Sequence, residues 1–137
     1  MKQKLASVIA ALLVAILLVG CAVDTDPERI ERIYAFVELL NMTTMPENYI
    51  GKTRTVSGES TSKYFALTDK TYFSVSVSNA KHTDSEEIEY ELTDGQYPPD
   101  GVSITVTGEF EVYRENGFPY CRLKDAQITM IEGDKSV

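Results

Sequence analysis

The chain has 137 residues, with 13 Lys or Arg against 21 Asp or Glu and a net charge of −8. That length holds one small domain with a hydrophobic core of its own. The acidic balance speaks against nucleic-acid binding, which needs Lys and Arg to neutralise phosphates. Two cysteines and a single histidine leave little material for metal or nucleophile chemistry.

Lys2 and Lys4 open the chain, and residues 5–20 carry no charge. A positive start, a short apolar core and small residues at its end describe a secretory signal peptide. Sixteen helical residues span about 24 Å, short of a hydrocarbon core of about 30 Å, so a permanent transmembrane helix is the poorer reading. The run ends in Leu18-Val19-Gly20-Cys21, which resembles the lipobox of bacterial prolipoproteins. The resemblance implies cleavage between Gly20 and Cys21, a diacylglycerol on the Cys21 thiol, and an acyl chain such as palmitate on the new amine. Two acyl chains hold a protein on a membrane where one does not. The expected partition is a signal peptide over 1–20, a lipidated N-terminus and tether over 21–26, a helix over 27–43 and a β domain over 49–132.

Without Lys2 and Lys4 the charge falls to −10. An anionic membrane surface would repel such a domain, so the acyl chains must hold it there. Cys121 is then the one remaining cysteine and has no intramolecular disulfide partner. Its alternation with Leu123 on a strand reads as a small buried hydrophobe.

Asp26-Pro27-Glu28 reads as a helix start, with a capping Asp, Pro in the first turn and an acid at the positive end of the dipole. Ile30, Ile33, Tyr34, Val37 and Leu40 recur at helical spacing, and Phe36 and Leu39 widen that face. Core packing is the expectation for this stripe. A membrane-lying helix is disfavoured because acids accompany Arg29 and Arg32 in place of a Lys cluster.

From Tyr49 onward the period changes to two. Strands are expected at Lys52–Ser57, Thr71–Val77, Ile88–Leu92, Ile104–Tyr113, Pro119–Leu123 and Ala126–Ile131. Each has an apolar face and a wet face, as a single antiparallel sheet curled around a core requires. Gly58 and Gly108 fall inside strand patterns, where glycine permits a sharp bend or bulge. Asn116-Gly117 marks a hairpin turn. The fold class is therefore mainly β: a small five- or six-stranded antiparallel barrel preceded by one amphipathic helix.

Tyr49-Ile50-Gly51-Lys52-Thr53 through Val56-Ser57-Gly58 resembles the first strand of an OB-fold domain. Residues 101–111 and Tyr120 through Ala126 resemble its last two strands. With the lipobox, the chain is similar to small bacterial membrane lipoproteins carrying an OB-like domain. Two departures stand out. The segment Thr93–Gly101 is too short and Pro-rich for the helix that OB-folds carry between their third and fourth strands; the helix at 27–41 could cap the barrel in its place. Some such lipoproteins have adjacent cysteines before the third strand, where this chain has His82-Thr83-Asp84-Ser85, so no thiol or metal role transfers.

The resemblance implies a ligand face flanked by the loops after the first and fourth strands. Those stretches supply Tyr64 and Phe65, then Tyr113, Arg114 and Phe118. Tyr64, Phe65 and Leu67 are apolar for a loop between Glu59 and Lys70, and they either recognise a ligand or extend a strand. His82 and Asp84 form at most a weak cation site, for want of a second His or a Cys at ligand spacing. Glu87, Glu89 and Glu91 share one strand face and read as a solvated, aggregation-blunting surface. No catalytic residue and no cofactor is expected. The function expected is a lipid-anchored, extracytoplasmic, non-catalytic binding module for a protein or a carbohydrate; the alternative is a metal-handling or redox-associated surface lipoprotein.

Overall fold

The computed structural model describes residues 26–132. The expected signal peptide, Cys21 and the tether up to Thr25 lie outside those residues.

Helix α1 spans Pro27–Thr44. Asp26 caps it by accepting a hydrogen bond from the Glu28 amide at 3.1 Å, with Pro27 opening the first turn. A 3-10 turn, Pro46–Asn48, leads to five strands: β1 Thr53–Phe65, β2 Lys70–Ser78, β3 Ser85–Leu92, β4 Ser103–Glu115 and β5 Phe118–Glu132. They close in the order β1-β2-β3-β5-β4, with β4 pairing back onto β1. The fold is mainly β, a small five-stranded barrel preceded by one helix, as the patterning predicts.

Three details depart from expectation. The five strands fall within the expected five or six, but residues 119–123 and 126–131, expected as two strands, are one. Asp125, at φ 47°, bulges between them, and the β4–β5 register shifts between Thr107 and Glu109 opposite it. The sheet is also mixed, since β3 runs parallel to β5. Closing the ring places these two strands side by side, and their shared direction follows from the connections; face alternation carries no such information. Finally, β1 extends to Phe65, so the connection to β2 is only Ala66–Asp69.

β1 pairs with β4 over Thr53–Glu59 and with β2 over Glu59–Phe65, so it changes partner at Gly58 and Glu59. A Cβ at Gly58 would lie 2.3 Å from the Ser76 carbonyl oxygen. Glycine is required there by close backbone approach. Gly108 fills the same role beside the β5 bulge, 2.8 Å from the Lys124 carbonyl oxygen by the same measure.

Phe110, Tyr90, Leu123, Val75, Val106 and Ile88 fill the barrel, all essentially inaccessible to solvent. Ser60 is buried among them, its hydroxyl 3.4 Å from that of Tyr90. The β3–β4 connection is short and non-helical, and it packs inward: Tyr97 stacks on Phe73 at 3.7 Å and accepts the Leu92 amide at 3.1 Å. α1 packs on β1, β2 and β3 and adds Leu39 and Met42 to the core. Glu38 meets Arg54 at 3.6 Å, and Arg32 meets His82 at 3.1 Å.

The helix is rotated relative to expectation, keeping only Phe36 and Leu39 of the expected face against the barrel. Its barrel side is Leu39, Met42, Ala35 and Phe36. Of the expected stripe, Ile33 is 41% exposed, Tyr34 72% and Val37 45%, while Ile30 and Leu40 are half-buried at its margins. At 100° per residue, Val37 lies about 160° around the helix from Leu39. The helix thus has two apolar faces, and the barrel takes the smaller.

Candidate functional site

Among the described residues, the concavity with the chemistry of a binding site lies on the outer wall between the two hairpins. The β1–β2 hairpin supplies Lys63, Phe65 and Tyr72, and the β4–β5 hairpin supplies Tyr113, Glu115 and Tyr120. Glu87 and Glu89 of β3 form the floor, and the groove holds about 410 Å³. Strand periodicity aims these side chains outward: Glu87 and Glu89 alternate with Ile88 and Tyr90 of the core, and Tyr113 and Glu115 continue the wet face of β4. A wider cleft of about 800 Å³ lies between α1 and the barrel, but it has no Phe or Tyr in its walls.

Paired polar groups fix the groove walls. The Tyr113 hydroxyl donates to Glu89 Oε2 at 2.6 Å. The Tyr72 hydroxyl donates to Glu115, and Lys70 Nζ donates to the other oxygen of that carboxylate at 2.8 Å. Lys63 bonds Glu87 at 2.8 Å. Arg122 bonds Glu111 and Glu91 and lies over the Tyr113 ring at 4.6 Å. Phe65 stands edge-on to Tyr72 at 5.4 Å, and the Tyr113 and Tyr120 rings lie 5.7 Å apart. Phe65 and Tyr120 nevertheless remain about half exposed.

The titratable groups respond to this packing. Burial pushes the Glu89 carboxyl above the usual range, opposed by the Tyr113 hydrogen bond and the Arg122 charge. Burial, then the bond to Glu89, drives the Tyr113 phenol far above its ordinary value. Lys70 and Tyr72 hold Glu115 below its ordinary value. The groove therefore presents aromatic rings, a Glu115 carboxylate favoured in its ionised form, a Glu89 carboxyl whose charge burial disfavours, and phenols held neutral.

Of the five ligand residues expected from sequence, Phe65 and Tyr113 line this groove. Tyr64, one step out of phase with Phe65, bonds Asp69 within its own hairpin. Arg114 folds onto its own turn, donating to the Gly117 carbonyl at 3.1 Å. Phe118 is exposed at the hairpin tip, paired with Glu115 across the Asn116-Gly117 turn. The sequence reading missed Tyr72, Glu89, Glu115 and Tyr120. The sequence pattern places Glu89 on a plain solvated face; in the fold Tyr113 engages it and burial perturbs it. The pairing of β3 with β5 is what brings these residues together, and no local motif encodes that.

His82 and Asp84 do not converge. His82 is exposed and faces the Arg32 guanidinium, while Asp84 accepts the Ser85 amide at 2.9 Å. Among the described residues, no three His, Cys, Asp or Glu side chains are grouped to hold a metal ion. Cys121 is half-buried beside the groove, and burial raises its thiol pKa, so it is not poised as a thiolate. Among the described residues, no helix is long and apolar enough to cross a membrane. Compared with known proteins, the chain matches no family model, no curated protein and no solved structure.

Proposed function

We propose that this chain is a lipid-anchored, extracytoplasmic, non-catalytic binding module whose ligand is a carbohydrate held in the groove between the two hairpins. The observation that carries the reading is the pairing of accessible rings with fixed carboxylates. Phe65 and Tyr120 offer faces for the apolar side of a sugar ring. Glu87, Glu89 and Glu115, held by Lys63, Tyr113, Tyr72 and Lys70, offer acceptors for hydroxyl or amine donors. Because those side chains are already fixed by their partners, a ligand meets a pre-organised surface and orders little on arrival. The acidic net charge suits a neutral or cationic glycan better than an anionic one. Anchoring rests on Cys21 and the apolar run before it, which supply the two-chain anchor a soluble acidic domain needs.

The test is titration of the ¹⁵N-labelled chain with neutral and amino-sugar oligosaccharides. Shifts confined to the two hairpins and β3, abolished by Phe65→Ala with Tyr120→Ala, are the expected result. Saturable glycan shifts elsewhere would move the site away from the groove, and no shift with any glycan would overturn the carbohydrate.

A further inference from the structure

We infer that the outward face of α1, built from Ile33, Tyr34 and Val37, lies on the lipid bilayer, so that the helix is a second membrane contact beside the acyl chains. The inference rests on the anchoring of Cys21 proposed above.

α1 is 18 residues long, about 27 Å, and its barrel side is already satisfied by Leu39 and Met42. Its opposite side carries Ile33, Tyr34 and Val37, each more than 40% exposed, with Ile30 and Leu40 half-buried along the margins. A helix that packs on its domain needs one apolar stripe; this one has a second, with nothing in the described chain to cover it.

What covers it follows from where the chain leads. Cys21 precedes the cap residue Asp26 by five residues. Whatever their conformation, five residues reach at most about 18 Å. Tyr34 lies seven residues beyond Pro27, another 10 Å or so along the axis. An acylated Cys21 in the headgroup region therefore keeps the stripe, out to Val37, within about 35 Å of the bilayer. The effective concentration of lipid at the stripe is set by that short tether. A ring with a hydroxyl at its tip, as in Tyr34, suits the boundary between acyl chains and headgroups.

Charge does not drive this contact. Glu28, Glu31 and Glu38 outnumber Arg29 and Arg32, so anionic lipid gives no advantage, and the absent Lys cluster is what a tethered helix can do without. The stripe would then settle on neutral as well as anionic bilayers. It would also orient the barrel, where acyl chains alone leave it free to tumble.

The chain contains no Trp, so Tyr34→Trp introduces a single reporter. The full chain, expressed and processed in bacterial membranes, is reconstituted into phosphatidylcholine vesicles with or without brominated acyl chains. An otherwise identical sample carrying Tyr120→Trp reports on the hairpin groove. The expected result is blue-shifted emission from Tyr34→Trp that brominated lipid strongly quenches, with Tyr120→Trp unaffected. Intact mass on the same samples reports acylation. Acylated protein that sediments with vesicles while its Tyr34→Trp emission stays water-like and unquenched overturns this inference and leaves the anchor standing. Blue-shifted emission that bromine does not quench means a second copy or another protein covers the stripe, and also overturns it. A full-length mass without acyl chains removes the anchor and this inference together.

Discussion

The hairpin groove and the outer face of α1 both expose apolar side chains, and they differ in what surrounds them. In the groove Tyr113 and Tyr72 each make a directed polar contact, to Glu89 and Glu115, and Phe65 and Tyr120 stand against those two rings. On the helix, Ile33 and Val37 offer hydrocarbon alone. Directed contacts fix geometry and so can discriminate between ligands; undirected hydrocarbon favours any apolar medium about equally. The first surface is suited to recognition and the second to adhesion. The difference also extends within α1, whose inner face is committed to the core while its outer face is not.

The largest expected effects fall where the chain has no slack. Gly58→Ala forces a Cβ against the Ser76 carbonyl and should cost about 3 kcal/mol. Leu39→Ala, on the inner face of α1, should cost about 3 kcal/mol for the lost burial and the cavity it leaves. Urea unfolding of each variant checks both. Tyr113→Phe leaves the half-buried Glu89 carboxylate without its phenolic donor and should cost about 1 kcal/mol in the same assay. It should also weaken any glycan held in the groove. Val37→Ser, on the outer face, should change stability in water by no more than about 0.5 kcal/mol. A loss as large as that of Leu39→Ala would mean the outer face is core after all.

The pH dependence separates two carboxylates of the groove itself. The folded-state pKa of Glu89 is raised, so the folded protein binds its proton more tightly than the unfolded chain does. Glu89 therefore adds stability as pH falls from neutral through its raised value toward the ordinary carboxylate range. Glu115 has the opposite sign: its folded pKa is lowered, and its contribution is lost as pH falls below that ordinary range. Unfolding free energies measured along the pH scale should show the mildly acidic gain in the native chain and its absence in Glu89→Gln.

The barrel was legible because its signal is local. Alternation in β2, β3 and β4, the Asn116-Gly117 turn and the two strand glycines each act within a few residues. Asn116 and Gly117 indeed take positive φ at the hairpin. Strand number was less legible, since the bulge at Asp125 interrupts the alternation of a single strand. The parallel β3–β5 pair lay beyond local pattern altogether. The orientation of α1 was misread for a physical reason. Periodicity reports that a face is apolar, not what it packs against, and this helix has two such faces. The groove was half legible. The hairpins announced Phe65 and Tyr113, whereas Glu89 and Tyr120 join them only once the barrel closes.

The most direct test of the account is the intact mass of the protein extracted from cell membranes, compared with Cys21→Ser. The account predicts a native chain that begins at Cys21 and carries a diacylglycerol, and a Cys21→Ser chain that is neither acylated nor held on the membrane. A native chain that retains residues 1–20 and bears no lipid, or a Cys21→Ser chain that stays on membranes at the mature length, would contradict it.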